Sequence, residues 1–166
     1  MDTHATLTIT PTGDAAKIAD CARMMAASDP WVTLGLDYLQ CLAAFEGPCR
    51  EIYLLESGPQ IAGFVILQVC GSFKGYIQTL FVAAPFRGQG QGHQLLLFSE
   101  QRILEISPNI FICVSSFNQE AIRLYYRFGF QLVGELPDFV RKGCTELLLR
   151  KTVGPMAGYR PALPAQ

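Results

Sequence analysis

Hydrophobic and polar residues alternate along several short stretches of the chain, and this spacing predicts β-strands. TLTIT alternates and ends at Pro11, which predicts a first strand. GYIQTLFV is apolar on both of its faces, so we expect it to lie in the middle of a sheet. The stretches EIYLLES and QIAGFVILQVCG are joined by SGPQ and predict a hairpin. The remaining predicted strands are NIFICVS, FQLVGEL and TELLLRK.

Apolar residues three or four positions apart predict four helices. The first runs through DAAKIADCARMMAAS with Asp14 as its N-cap, and the second covers Thr33 to Phe45. The third begins near Gly92 and ends near Ile106. The fourth is NQEAIRLYYRF, at whose start Ser116 and Gln119 stand at the spacing of a capping box.

The order of these elements predicts an α+β fold, with several strands first and two strand–helix units after them. We expect one domain over residues 1–153 and a tail over residues 154–166, because the tail holds three prolines and two glycines without periodicity. A mobile end is the favoured interpretation of this tail. The alternative is an arm laid on the neighbouring subunit of a homodimer.

Composition changes this picture only slightly. Half of the 166 residues are apolar and the formal net charge is −1, so the overall charge favours neither nucleic acid nor a membrane surface as a partner. The first residues do not resemble a signal peptide, and the longest apolar runs are far too short to span a bilayer. We therefore expect a soluble cytoplasmic protein.

Six cysteines are scattered along the chain without a C-x-x-C pair or a histidine at metal-binding spacing. The two histidines, His4 and His93, are far apart in sequence. We expect no metal site, and we interpret most of the cysteines as small buried hydrophobic residues in a reducing compartment.

PFRGQGQGHQLL, residues 85–96, places an arginine and three alternating glycines in front of an apolar helical run. A simple turn needs only one glycine. A dinucleotide-binding fingerprint is excluded because His93 stands where its third glycine should be. A loop that binds nucleoside triphosphates is excluded because no Lys-Ser or Lys-Thr pair is near. The amides from Gly88 to Gly92 therefore predict an anion site at a helix start.

A second informative stretch is SSFNQEAIRLYYRFGF, residues 115–130. Asn118, Ala121 and Tyr125 stand at i, i+3 and i+7, so an amide, a small side chain and a phenol share one helix face. Leu124 and Phe128 point elsewhere, toward the expected core. Taken alone, this stretch favours an ordinary amphipathic helix with a tyrosine at its edge.

Together, in this order, the two stretches resemble the GCN5-related N-acetyltransferase family over residues 50–150. The family loop [QR]-x-x-G-x-[GA] is matched by residues 87–92. The second motif is matched by Asn118, Ala121, Leu124, Tyr125, Gly129 and Phe130. The resemblance implies a mixed, mainly antiparallel twisted sheet flanked by helices, with two splayed central strands.

The resemblance also implies acetyl-CoA as co-substrate and direct transfer of its acetyl group to a primary amine in a ternary complex. The amine belongs to a small molecule or a peptide. The implied contacts to coenzyme A come from Leu80, Phe81, Val82, Arg87, Gly88, Gln89, Gly90, Gln91, Gly92, His93, Asn118 and Tyr125. Among the catalytic residues it implies, the Leu80 amide donates a hydrogen bond to the thioester carbonyl. Tyr125, with an ordinary pKa of about 10, protonates the thiolate of the departing coenzyme A.

The proton acceptor for the amine is missing from the strand before the loop, because residues 71–99 contain no carboxylate. Gln78 stands in the corresponding place, and a glutamine cannot act as a base. The alternatives are a water ordered by Gln78 or a carboxylate from elsewhere, such as Glu51 or Asp29. Asp29 and Trp31 are candidates for the acceptor pocket, although Asp29 equally suits a helix cap and Trp31 the core.

Two other functions fit the same residues. YRFGF also resembles the branch that acetylates ribosomal proteins, so a protein N-terminal acetyltransferase is one alternative. A non-catalytic domain that senses coenzyme A is the other, supported by the missing glutamate and opposed by Tyr125.

Overall fold

The computed structural model describes residues 7–161, which form a seven-stranded sheet with helices on both faces. The order across the sheet is β1-β2-β3-β4-β5-β7-β6, and every neighbouring pair is antiparallel except β4 and β5. This confirms the predicted fold, with GYIQTLFV as the central strand. The strands are β1 (Leu7–Pro11), β2 (Arg50–Ser57), β3 (Gln60–Gln68), β4 (Tyr76–Val82), β5 (Asn109–Ser115), β6 (Gln131–Pro137) and β7 (Thr145–Thr152).

The helices pack on the two faces of the sheet around two apolar clusters. Along β3, Val65 and Leu67 face one cluster while Phe64 and Ile66 face the other, as strand alternation requires. Each such buried side chain stabilises the fold by roughly 1.5–3 kcal/mol. The helices are α1 (Ala15–Ala26), α2 (Trp31–Leu34), α3 (Tyr38–Ala43), α4 (Gln91–Leu104) and α5 (Gln119–Phe128).

The two central strands separate part-way along their length. β4 and β5 pair only at Tyr76 with Phe111 and at Ile77 with Ile112. Beyond that point β4 continues along β3, whereas β5 continues along β7 as far as Ser115. Gln78 is an extra residue in β4, because Thr79 pairs with Ile66 and Ile77 with Leu67. Bulges of this kind bend a strand and often lie beside active sites.

The predicted helix from Thr33 to Phe45 is wrong, because the chain forms two short helices there. Gly35 ends α2 with a φ of 67°, a left-handed conformation that glycine adopts without strain. A Cβ at Gly35 would lie 1.6 Å from Arg141 Nη1, which donates a 2.7 Å hydrogen bond to the Leu34 carbonyl. Asp37 then starts α3 with a capping box that includes Gln40.

The predicted capping box at Ser116 is also wrong. Asn118 is the N-cap of α5, and its Oδ1 accepts a 3.3 Å hydrogen bond from the Ala121 amide. The Gln119 side chain instead donates to the Ser116 carbonyl at 2.8 Å. An asparagine satisfies a free helix amide as well as serine does, so Asn118 rather than Ser116 is the cap, and the helix begins next to Asn118 as predicted.

Cysteine chemistry differs from the expectation at two positions. Cys49 and Cys70 are joined by a disulfide that links the end of β3 to the start of β2. Cys21 and Cys41 are buried hydrophobic residues, as predicted. The interpretation as a buried hydrophobic residue therefore does not hold for Cys49 or Cys70, whose Cα atoms lie 5.5 Å apart across the hairpin, within bridging distance.

The start of the tail lies against the domain. The Tyr159 hydroxyl donates a hydrogen bond to the Leu104 carbonyl at the end of α4, and Met156 Sδ accepts one from Ser107 at 3.5 Å. Residues 156 and 159 thus contact the end of α4 and the residues after it. The rest of the tail and the residues considered as a leader, 1–6, lie outside the described residues.

Candidate active site

Two cavities meet where β4 and β5 separate. The first has a volume of about 650 Å³ and lies against the glycine loop and α5. The second has a volume of about 500 Å³ and lies between α2, α3, the splayed strands and the loop before β7. Five residues are common to the linings of both cavities: Pro30, Trp31, Leu80, Asn118 and Tyr125.

The glycine loop presents free backbone amides to the first cavity. Gly88 and Gly90 have φ values of 72° and 90°, in the left-handed region, and a Cβ on either would meet nothing within 4 Å. Within residues 7–161, the N–H groups of residues 88–93 have no backbone or side-chain acceptor. Because they surround the N-terminus of α4, where the helix dipole is positive, they form a cradle for an anion.

The other loop residues have distinct positions. Gly92 allows close packing of α4 on α5, because a Cβ there would lie 3.0 Å from Leu124 Cδ2. Arg87 lines the first cavity and donates a 2.9 Å hydrogen bond from Nε to the Val82 carbonyl. The Gln89 side chain turns back to the Pro85 carbonyl and lies outside the cavity lining. His93 lines the cavity and packs edge-on against Phe128.

The backbone of Leu80 points into the gap between the splayed strands. The Ala83 amide donates to the Ala62 carbonyl, so this pair is hydrogen-bonded across β3 and β4. In an antiparallel ladder such pairs alternate, which leaves Leu80 and Val82 with N–H and C=O groups directed away from β3. The partner strand on that side has already diverged. The Leu80 amide is thus a donor aimed where the two cavities join. The Phe81 side chain packs in the core and also lines the first cavity.

Asn118 and Tyr125 stand two turns apart on the α5 face that lines both cavities. Asn118 uses its Oδ1 as the helix cap, which leaves the amide nitrogen to donate. Tyr125 is only 6% exposed, and its hydroxyl makes no hydrogen bond within residues 7–161. Burial raises the pKa of Tyr125 above the ordinary value assumed from sequence, so the phenol keeps its proton at neutral pH.

The structure separates the other residues proposed from sequence. Trp31 lines both cavities and packs against Phe81 at 5.9 Å between ring centroids. Asp29 lines only the first cavity, and its Oδ1 accepts hydrogen bonds from the Thr33 amide at 3.0 Å and hydroxyl at 2.6 Å. These Thr33 bonds lower the pKa of Asp29, which acts as a cap.

Gln78 lines the second cavity, and only one end of its side-chain amide is hydrogen-bonded. Its Nε2 donates to the Ala44 carbonyl at 3.3 Å, whereas its Oε1 is buried without a partner within residues 7–161. Glu51 lines neither cavity. Arg102 donates hydrogen bonds to both of its carboxylate oxygens, at 2.6 and 2.8 Å. Glu51 is therefore removed as a candidate base.

Glu146 on β7 is the residue that sequence reasoning missed. It is 5% exposed, and among the described residues it is the only carboxylate that lines the second cavity. Burial raises its pKa, and the 2.6 Å hydrogen bond from Ser115 Oγ opposes that shift. The available signal was a single acid in the otherwise apolar start of TELLLRK.

The two cavities therefore bring together the free amides of the glycine loop, the Leu80 N–H, the protonated Tyr125 phenol and the buried Glu146 carboxylate. A model of the acetyltransferase (GNAT) family matches residues 17–130, more than half of the chain. The chain belongs to this family.

A curated relative carries the same activity class in its name. A spermine/spermidine N(1)-acetyltransferase of Bacillus subtilis is 36% identical over 66 residues, which cover 39% of this chain and 43% of the relative. The match thus spans less than half the length of that curated relative.

Two solved structures share the fold. The ribosomal-protein-S18-alanine N-acetyltransferase of Escherichia coli is 17% identical with a TM-score of 0.70, covering 90% of this chain and 96% of that one. A Salmonella typhimurium protein solved with its cofactor acetyl-CoA is 18% identical with a TM-score of 0.67, covering 94% and 99%. Over residues 7–161, no helix of this chain is long and apolar enough to cross a membrane. The same residues contain no group of three acidic, histidine or cysteine side chains that could hold a metal ion.

Proposed function

We propose that the protein is an acetyl-CoA-dependent N-acetyltransferase that acts on a primary amine in a ternary complex. The observation that carries this proposal is the meeting of two cavities at Leu80 and Tyr125. One cavity has the chemistry to hold the acetyl donor and the other to hold the amine, so the thioester and the amine nitrogen would meet between them. We place the activity in one domain over residues 1–153.

The first cavity suits coenzyme A. Its free amides at residues 88–93 would bind the pyrophosphate, with Arg87 adding positive charge beside them. The pantetheine arm would lie along the exposed backbone edge of β4, from Leu80 to Val82, much as an added strand does. The Asn118 amide nitrogen would donate to a carbonyl of that arm.

The second cavity supplies the proton acceptor that β4 lacks. An ammonium cannot attack a thioester, so it first gives a proton to Glu146, directly or through one water. The neutral nitrogen then forms a bond to the acetyl carbon. Negative charge builds on the carbonyl oxygen, where the Leu80 N–H donates a hydrogen bond that can stabilise it by about 2.7–4 kcal/mol.

Collapse of this adduct breaks the carbon–sulfur bond and leaves a thiolate. Tyr125 donates its phenolic proton to the sulfur, which yields free coenzyme A and the acetylated amine. The first proton, taken from the ammonium, passes from Glu146 to solvent. The nitrogen loses its second proton as the carbon–sulfur bond breaks, and that proton returns to the Tyr125 phenolate directly or through one water. These steps need no metal or redox group, since every bond change is accounted for by the two substrates and the two side chains.

A peptide N-terminus is the alternative acceptor. Phe139 and Val140 on the loop before β7 line the second cavity and are 60% and 42% exposed, so a longer acceptor could rest on them. A non-catalytic sensor of coenzyme A is less well supported, because binding alone requires neither Tyr125 nor a buried carboxylate in the second cavity.

Two measurements test this function. Acetyl-CoA at about one hundred times its dissociation constant should add about 2.7 kcal/mol to the free energy of unfolding and raise Tm. NADH and ATP should raise it much less. Incubation with acetyl-CoA and a panel of amines and short peptides should then release free thiol. The absence of any Tm shift at millimolar acetyl-CoA would rule the proposal out.

A further inference from the structure

The second cavity carries opposite charges on two different strands. Among the residues that line it, Glu146 on β7 and Arg50 on β2 are the only charged ones. Glu146 lies near the junction with the first cavity, because its partner Ser115 accepts a 2.8 Å hydrogen bond from the amide of Asn118, which lines both cavities. Arg50 begins β2, on the other side of β3 and β4. The cavity is therefore negative at the reaction end and positive at the far end.

Arg50 is partly buried and has no carboxylate to neutralise it. Its Nη1 donates to Gln68 Oε1, and its Nε donates to the Glu46 carbonyl at 3.4 Å. Within residues 7–161, no Asp or Glu side-chain oxygen lies within 4.0 Å of its guanidinium. A guanidinium in partial contact with apolar surroundings is costly without an anion, and its five donors suit a carboxylate. Its surroundings thus favour an anionic ligand group.

Tyr76 lies between the two charges and shows that they share one environment. Burial is the main cause that raises the pKa of Tyr76; Glu146 adds to this shift, whereas Arg50 opposes it. Arg50 pairs with Gln68 and Gln68 pairs with Tyr76 in the strand register. The phenol therefore stands within electrostatic range of both groups.

The two ends are well separated. From β2 to β7 there are four strand spacings of about 4.8 Å each, or roughly 19 Å between backbones. Side chains that reach toward each other shorten this gap without closing it, since no contact joins Arg50 to Glu146. A ligand that touches both ends must be elongated.

On the basis of the proposed function, we propose that the acceptor is an elongated amine that carries a carboxylate several bonds from its nitrogen. Its ammonium binds at Glu146, beside Tyr125, and its carboxylate binds at Arg50. A polyamine is disfavoured by the same geometry, because its second ammonium would face the Arg50 guanidinium.

Three acceptors with the same six-carbon chain test this inference. Aminocaproate ends in a carboxylate, hexylamine in a methyl group and hexamethylenediamine in a second ammonium. We expect kcat/KM to fall in that order, with aminocaproate favoured over the diamine by about 10- to 100-fold, as befits one charged hydrogen-bonded contact. A preference for the diamine, or equal use of all three, overturns the inference.

Variants of Arg50 show whether this residue sets the order. Arg50→Gln should bring the ratio of kcat/KM for aminocaproate and hexylamine close to one, and Arg50→Glu should make the diamine better than aminocaproate. Arg123→Gln, on the exposed side of α5, is the matched control and should keep the wild-type order. Ratios between acceptors on one protein do not depend on the folded fraction. An unchanged order in both Arg50 variants contradicts the inference.

Calorimetric binding of the three acceptors to the protein loaded with coenzyme A gives a readout that does not require turnover. Tight binding of aminocaproate without thiol release would support the acceptor class while contradicting the proposed catalysis. Thiol release with hexylamine but no preference for aminocaproate would support catalysis and overturn the acceptor class. If no acceptor binds the loaded protein, the acceptor class is overturned.

Discussion

Ser115 on β5 and Glu146 on β7 are direct partners in the strand register, and Ser115 Oγ donates a 2.6 Å hydrogen bond to Glu146 Oε1. This bond fixes the carboxylate beside the end of β5, where β4 has already diverged. Within residues 7–161 the other oxygen, Oε2, has no hydrogen-bond partner. The carboxylate can therefore accept a proton from an amine in the cavity without breaking its contact with Ser115.

Glu146→Gln should impair catalysis much more than acetyl-CoA binding. The amide keeps the shape of the side chain but cannot accept a proton, so kcat should fall by about 10² to 10⁴. Acetyl-CoA affinity, measured by calorimetry, should change little because Glu146 does not line the first cavity. Glu135→Gln, on exposed β6, is the control and should retain full kcat. Wild-type kcat in Glu146→Gln would exclude this residue as the proton acceptor.

The pH dependence of kcat should report the same carboxylate. Burial raises the pKa of Glu146, so its basic form is lost at a higher pH than for an ordinary glutamate. The rate should therefore rise with pH through this raised pKa on the acid side of the profile. Tyr76 and Cys113, which face Glu146, have raised pKa values and stay uncharged there, while Arg50 stays positive. In Glu146→Gln this acid limb should disappear from the residual rate.

Gly90→Val should separate cofactor binding from backbone strain. At a φ of 90° a branched side chain is strained, and it would also stand over the free amides of the loop. Gly58→Val is the matched control, because Gly58 lies in the β2–β3 turn with a φ of 57°, and a Cβ there would also meet nothing within 4 Å. Both variants should lose a similar amount of stability, measured by chemical denaturation. Only Gly90→Val should lose acetyl-CoA affinity; an equal affinity in both would favour a purely structural turn.

Local signals in the sequence were sufficient for the sheet and for the glycine loop that lines the first cavity. Alternation along GYIQTLFV predicts the central strand, and the glycine spacing at residues 87–92 predicts the anion cradle. These features depend on a few consecutive residues, so their pattern is visible without tertiary contacts. The helix from Thr33 to Phe45 failed because Gly35 ends α2 in a left-handed conformation and Asp37 caps a new helix, two local signals that the apolar spacing concealed.

The second cavity depends on contacts between distant segments, which explains why its charged residues were not predicted. Glu146 enters it only because β7 pairs with β5 beside the splay, and Arg50 only because β2 lies on the other side of β3. Neither residue belongs to a motif. Asp29 carries the charge that suits an amine, yet it lines only the first cavity, and its Oδ1 accepts two hydrogen bonds from Thr33. No local spacing distinguishes a capping acid from a ligand-binding one.

Tyr125→Phe should test proton transfer to the leaving sulfur. The change keeps the buried ring and removes only the hydroxyl, which makes no hydrogen bond within residues 7–161, so folding should be little affected. Its raised pKa keeps the phenol protonated at neutral pH, ready to donate to a thiolate. We expect kcat to fall by about 10² to 10⁴ in single-turnover measurements, with acetyl-CoA affinity nearly unchanged.

Tyr126→Phe is the matched control for this change. Tyr126 follows Tyr125 on α5 and therefore points about 100° away on the helix; it is 44% exposed and lines neither cavity. The same loss of a hydroxyl should there leave kcat at the wild-type value. If Tyr125→Phe instead keeps full turnover when chemistry limits the rate, the phenol only packs against Phe130, and the thiolate must take its proton from water.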